Sequence, residues 1–318
     1  MNLRNTTDVS EFLLRGFPYQ PEVQSLLFPL FLSIYLLTLL GNMTIILLIR
    51  SDTHLLHTPM YFLLSHLALA DLGFTSTTIP KALHNMLSQK KTISYPGCLA
   101  QMYFYGSFGN SDTCLLASMA YDRYVAICCP LHYSAMMSHK RCLQLATVSW
   151  IVPLIPALLY TLLMSRLEFC DPEEIPDFFC DVFPLLAICC SDTTLVEIMV
   201  MTEGVMEVVI PFALIVISYS LIFYTIMKIP SAVMKIPSAV GKRKAFSTCG
   251  SHISVVVLFY GGVIWIYFKP NAKNPGLQDT VVTVMYTMVT PMLNPFIYTL
   301  RNSEMKSAMR RVIRRHFY

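Results

Sequence analysis

The chain has 318 residues, of which 55% are hydrophobic and 13% charged, with a formal net charge of +4 and a mean hydropathy of +0.55. So low a charge content excludes an ordinary water-soluble domain, and a bilayer is the solvent that suits it. The small basic excess belongs to loops beside anionic lipid and gives no argument for nucleic-acid binding.

Apolar runs long enough to cross roughly 30 Å of hydrocarbon recur along the chain. They predict spans at Leu26–Ile49, Pro59–Leu87, Leu99–Ile127, Leu143–Leu163, Val196–Met227, Ala245–Phe268 and Thr280–Leu300. Each must be a helix, because in lipid a backbone group has to find its partner within its own segment. The expected fold is therefore an all-α membrane protein, a seven-transmembrane-helix bundle. Residues 1–25 form an N-terminal tail, 26–300 the membrane domain, and 301–318 a short amphipathic helix and tail.

In the tail, Asn5-Thr6-Thr7 is an accessible glycosylation acceptor, whereas the same pattern at Asn42-Met43-Thr44 falls inside the first span. An ionisable group within a span is costly and is a functional suspect by default. Asp71 lies in LALADL of the second span and Asp112 in GNSDTC of the third. The third span closes with Asp122-Arg123. Arg123 cannot lose its charge, so it needs a carboxylate or an arriving partner, and the adjacent Asp122 suits a latch.

Between the fourth and fifth spans, Cys170, Cys180, Cys189 and Cys190 crowd an acidic loop on the same side as Cys98. Disulfides are expected there, but five cysteines cannot all pair and spacing leaves the connectivity open. The fifth span brings Glu203 and Glu207, four apart on one helix face, where two ionised carboxylates would repel. They read as polar anchors of a ligand pocket, or in the case of Glu203 as a side chain snorkelling to the interface.

The phrase MKIPSAV then occurs twice in succession, over residues 227–240. Pro230 and Pro237 argue for a loop lengthened by a tolerated duplication. In TPMLNPFIYTLRN of the seventh span, Pro291, Asn294 and Pro295 break the backbone ladder and supply an amide beside the break, a place where a helix bends. Beyond it, Met305, Ala308, Met309 and Val312 recur opposite Lys306, Arg310, Arg311, Arg314 and Arg315, the pattern of a helix lying on a membrane surface. Arg50, Arg123, Lys140, Arg141 and the basic run Lys242 to Lys244 share the side of these C-terminal arginines. That side is expected to be cytoplasmic, with the N-terminus outside.

LHTPMYFLLSHLALAD, MAYDRYVAICCPLHY, SYSLI, KAFSTCGSH and PMLNPFIYTLRN stand in the order found in odorant (olfactory) receptors, the branch of rhodopsin-like G-protein-coupled receptors that the chain resembles over nearly its whole length. The resemblance implies a plasma-membrane receptor for a small volatile odorant, acting through the olfactory stimulatory G protein to raise cyclic AMP. It makes Asn42, Asp71, Arg123, Trp150, Pro211 and Pro295 reference positions of their helices. It also implies disulfides Cys98–Cys180 and Cys170–Cys190, with the choice between Cys189 and Cys190 left open. An odorant pocket is implied at Tyr105, Gly106, Gly109, Asn110, Glu203, Glu207, Tyr260, Val263, Tyr267 and Thr287, with Tyr260 as the ligand-sensing pivot. Switching and G-protein coupling fall to Asp122, Arg123, Tyr124, Tyr219, Lys244, Asn294, Pro295 and Tyr298. Asn42, Asp71 and Asp112 form a buried polar group where a sodium ion could sit; no other cofactor is implied.

A chemosensory receptor for an endogenous metabolite or amine is the second reading, kept open by Glu203 and Glu207. A transporter or channel is remote, because the halves show no inverted repeat or matching broken helices. The seventh span has no lysine for retinal, and no nucleophile with a paired base points to an enzyme.

Overall fold

The computed structural model describes residues 10–17, 21–169, 174–228, 239–268 and 276–317. Seven helices build a bundle: α1 (Pro21–Ser51), α2 (Pro59–Leu87), α3 (Tyr95–Cys128), α4 (His139–Met164), α5, α6 (Ala239–Tyr267) and α7. α5 is continuous through Thr194–Gly204, a π-helical turn at Val205–Val209, and Ile210–Lys228. α7 likewise joins Leu277–Val284, a π-helical turn at Met285–Val289, and Thr290–Arg301. An eighth helix, α8 (Ser303–Phe317), follows at once.

Six of the seven are long and apolar enough to cross a membrane; α3 meets that standard together with the segment Pro130–Met136, which turns away from it by 110°. The weak hydropathy of α3 has a structural cause. It is the central helix, packed against α2, α4, α5 and α6, and it buries Ser107, Ser111, Asp112, Thr113, Ser118 and Asp122 among its neighbours. α4 shows the opposite case, with Ile151, Ile155, Leu158 and Leu162 exposed along one side. Such an apolar exterior belongs in lipid.

Proline determines several of the contacts between helices. A proline has no N–H, so the carbonyl four residues before it loses its helical donor. Pro211 strips Glu207 in this way, and the Thr113 hydroxyl of α3 donates to the Glu207 carbonyl instead. Pro295 strips Pro291, and Asn42 Nδ2 of α1 donates to the Pro291 carbonyl at 3.2 Å. That reach needs α1 close to α7. Gly41 allows it, since a Cβ there would stand 2.9 Å from both Cβ and Cγ of Pro295.

At the end of the bundle carrying Cys98, the tail is more than a tail. β1 (Glu11–Leu14) pairs antiparallel with β2 (Thr92–Ser94), matching Phe12 to Ile93, and parallel with β3 (Glu174–Ile175), matching Leu13 to Glu174. Phe12 and Leu14 face inward and are buried. Arg15 Nε donates to Glu174 Oε1 at 3.2 Å, and the Phe17 ring stacks on Phe178 at 4.7 Å. Cys98 is bonded to Cys180, with the Cα atoms 5.4 Å apart. Cys190 is also disulfide-bonded, while the Cys189 thiol donates to the Leu185 carbonyl at 3.3 Å. Asn5, Cys170 and residues 229–238 of the doubled phrase lie outside the described residues, as does the side chain of Lys244.

At the opposite end, α8 docks through Met305 and Ala308, both fully buried. Tyr61 donates to Asn302 Oδ1 at 3.1 Å and to Glu304 Oε2 at 2.9 Å. Arg311 closes on Asp52 Oδ2 at 2.6 Å. Burial alone would raise the Asp52 carboxyl, but Arg311 and the Leu55 and His54 amides hold it below the ordinary carboxylate range. Replacing Gly41 with Ala is expected to separate α1 from α7 and cost about 1–3 kcal/mol, the usual penalty of overpacking. A lowered unfolding midpoint of the purified protein, with Asn42→Ala adding little further loss, is the measurement that checks it.

Candidate functional site

Three polar assemblies lie along α3. At the end away from the disulfide, Arg123 folds back on its neighbour. Its Nε donates to Asp122 Oδ2 at 3.0 Å, and a terminal guanidinium nitrogen donates to the same oxygen. The second oxygen, Oδ1, accepts from the Tyr133 hydroxyl at 2.8 Å. Asp122 is fully buried, so an arginine and a phenol together satisfy a carboxylate that lipid alone could not. Tyr124 is half-buried beside this group, and Tyr298 is buried with its hydroxyl unpartnered. Tyr219 shares a 2.8 Å hydrogen bond with His252 Nδ1 on α6.

At the middle of the bundle, Asn294 Nδ2 donates to Asp71 Oδ2 at 2.9 Å. Both carboxylate oxygens of Asp112 are buried without a hydrogen-bond partner. Asn42 spends its amide hydrogens on Thr38 and Pro291, and its Oδ1 is unpartnered. Among the described residues no three His, Cys, Asp or Glu side chains gather as a metal site.

Near the disulfide end a cavity of about 200 Å³ opens between α3, α4, α5, α6 and α7, roofed by the loop after Cys180. Of the residues predicted for a pocket, Tyr105, Gly106, Gly109, Asn110, Glu203, Val263 and Tyr267 line it. Glu207, Tyr260 and Thr287 do not. The π-helical turn carries Glu207, which is only 2% exposed. Tyr260 packs against Phe212 at 4.7 Å with its hydroxyl buried and unpartnered. The Thr287 hydroxyl returns to the Thr283 carbonyl of its own helix. At the polar wall, Asn110 Nδ2 donates to Glu203 Oε1 at 2.8 Å. Sequence reasoning missed several members of the lining: Asp181, Val182 and Phe183 from the loop, Thr113 from α3, Tyr160 from α4 and Tyr286 from α7.

A sequence profile of the olfactory receptor family matches residues 31–316. Olfactory receptor 1E2 of Gorilla gorilla gorilla is 54% identical over 310 residues, covering 98% of this chain and 96% of its own. Olfactory receptor-like protein I9 of Rattus norvegicus is 52% identical over 313 residues, covering 98% and 97%. Olfactory receptor 1E16 of Mus musculus is 52% identical over 312 residues with the same coverage. The chain belongs to the olfactory receptor family. It is a multi-pass membrane receptor of the G-protein-coupled class and not an enzyme.

In this olfactory receptor the Cys98–Cys180 bond explains why the loop reaches the cavity at all. It ties the loop to the head of α3, and Asp181 to Phe183 follow directly. That signal was present in the position of Cys180. Tyr160 had no such signal, because what places it is an empty space at Gly106, on another helix. A Cβ at Gly106 would stand 2.0 Å from the Tyr160 hydroxyl.

Burial pushes the Asp181 carboxyl up to about 6, against the opposing pull of the Val182 amide and the Tyr267 hydroxyl. A carboxyl raised above its unfolded value binds its proton more tightly in the folded state, so this stability is present at low pH and is lost as pH rises through about 6. The parent receptor should therefore lose thermal stability mainly between about pH 4 and 6 through this group. Asp181→Asn is expected to flatten that dependence and melt a few degrees higher at pH 7.5, as read by thermal unfolding of the purified receptor.

Proposed function

We propose that the receptor binds a small volatile odorant in the cavity beneath the Cys180 loop and activates the olfactory stimulatory G protein, raising cyclic AMP. The cavity carries this reading. Its walls are mostly apolar with a few convergent polar groups, as small-molecule sites are, and five helices converge on it. A ligand shifts the receptor toward an active conformation only by binding that conformation better. Movement of α5 and α6 around the cavity is the means, since α5 carries a π-helical turn and Glu203 together there.

At the far end, the closed Arg123–Asp122–Tyr133 group is the resting latch. On activation Arg123 leaves Asp122, α6 swings outward with Lys244, and a helix of the G protein enters beside Tyr124, Tyr219 and Tyr298. Asn294 and Pro295 give α7 the flexibility to follow. The receptor sits in the plasma membrane with its N-terminus outside and this latch in the cytoplasm, where its basic loops meet anionic lipid. The Cys170–Cys190 bond and a glycan on Asn5 belong to the outer side. Asp112, buried without a partner, and the neighbouring polar side chains of Asp71 and Asn42 suit a sodium ion, which would stabilise the resting state.

Tyr133→Phe removes one hydrogen bond to the latch carboxylate without disturbing the arginine. Such a bond contributes about 0.5–1.5 kcal/mol, or roughly a two- to tenfold shift between resting and active states. Basal cyclic AMP in cells expressing equal surface amounts of the variant and the parent should rise accordingly. Unchanged basal signalling with intact odorant responses would remove Tyr133 from the latch.

A further inference from the structure

We propose that the odorant of this receptor is a small amine, its ammonium group held by Glu203, Asn110 and the Tyr160 hydroxyl at the polar wall of the cavity. This rests on the cavity being the odorant site and goes on to name the chemistry it selects.

The described lining contains two carboxylates, Asp181 and Glu203, and no lysine, arginine or histidine. Both acids are more than nine-tenths buried. Three side chains of the wall already spend donors within the protein. Asn110 gives its amide hydrogen to Glu203, Thr113 gives its hydroxyl to backbone carbonyls of Asn110 and Glu207, and Tyr267 gives its hydroxyl to Tyr105 at 3.3 Å. Acceptors are left over: the Glu203 carboxylate and the amide oxygen of Asn110.

Tyr160 is an independent observation that points the same way. It is 5% exposed, it lines the cavity, and its hydroxyl makes no hydrogen bond among the described residues. It occupies this place only because residue 106 is glycine. A hydroxyl that faces the cavity without a partner among the described residues is free to accept a hydrogen bond from a ligand.

A wall with two carboxyl groups and free acceptors, and no cationic side chain among the described residues, suits a ligand that brings donors and positive charge. A primary ammonium brings three N–H groups and remains charged at neutral pH. An alcohol brings one donor and no charge, and a carboxylate is repelled. Size follows from the volume. An engineered cavity of about 150 Å³ admits benzene, so about 200 Å³ accepts a chain or ring of roughly six to eight carbons.

The test uses the full-length receptor in cells with verified surface delivery and a cyclic AMP readout. The probes are two matched series: hexylamine, hexan-1-ol and hexanoic acid, and cyclohexylmethylamine, cyclohexylmethanol and cyclohexanecarboxylic acid. The amines should act at concentrations about tenfold or more below the alcohols, with the acids silent. Glu203→Gln keeps the shape and the Asn110 contact; it should weaken the amines about tenfold or more and leave the alcohols within about twofold. Tyr160→Phe should weaken the amines by roughly threefold. Should either variant fail to reach the surface, thermal stabilisation of the purified parent by the amines, and not by the acids, supplies the same decision.

Alcohols or acids that activate while the amines do not would overturn the amine assignment and leave the odorant reading standing. Amine responses unmoved by both variants would overturn the placement at this wall. Silence from every volatile in a broad neutral, acidic and basic panel, at verified surface delivery, would overturn the odorant reading as well.

Discussion

The backbone of a membrane helix has no water to fall back on, and this constraint organises the receptor. Wherever proline removes a donor, the carbonyl it leaves behind must find another within the bundle. Thr113 answers for Pro211 and Asn42 for Pro295, so two backbone defects become two bonds between helices. Gly41 is a consequence, since the second bond forms only if α1 and α7 come within touching distance. The weak points are thus also the places where the helices are held together. A helix bent there can change shape by exchanging partners without stranding a buried polar group.

α3 connects what these bonds leave apart. Its middle carries Asn110 and Thr113, which reach the cavity, and Asp112 between them, while its end away from the disulfide carries Asp122 and Arg123. Polar side chains recur along it because it is surrounded by helices and touches little lipid. Their partners come from different elements: Glu203 on α5 at one end and Tyr133 on the short helix after α3 at the other. Two groups of contacts to other elements are thus carried on one helix.

Much of this was legible in the sequence for a simple reason: length and hydropathy are local properties, and in lipid they are nearly sufficient to place a helix. The Asp122–Arg123 pair was legible because its members are adjacent. The family resemblance supplied most of one cavity wall, Tyr105, Gly106, Gly109 and Asn110, which share a face of α3. What the sequence hid depends on register between helices. Glu207 and Thr287 fall outside the lining, while Val205, Val208 and Tyr286 from the same π-helical turns fall within it. His252 took its role from a contact with Tyr219 on another helix, and Tyr133 took its role from a turn in the chain. The strand at Glu11–Leu14 is four residues long, too short for its alternation to stand out from the surrounding tail.

That strand has a consequence for the order in which the receptor is made. β1 precedes every helix of the bundle in the chain, yet one of its partners follows four of the seven helices, and the Arg15–Glu174 bond joins residues 159 positions apart. Until that stretch has been synthesised, the strand has half its sheet at most, and Phe12 and Leu14 lack part of the cover they have in the finished molecule. Closure of this cap therefore waits until the first four of the seven helices have been synthesised. A probe that recognises the fully paired strand would ignore chains that stop short of the loop after the fourth helix.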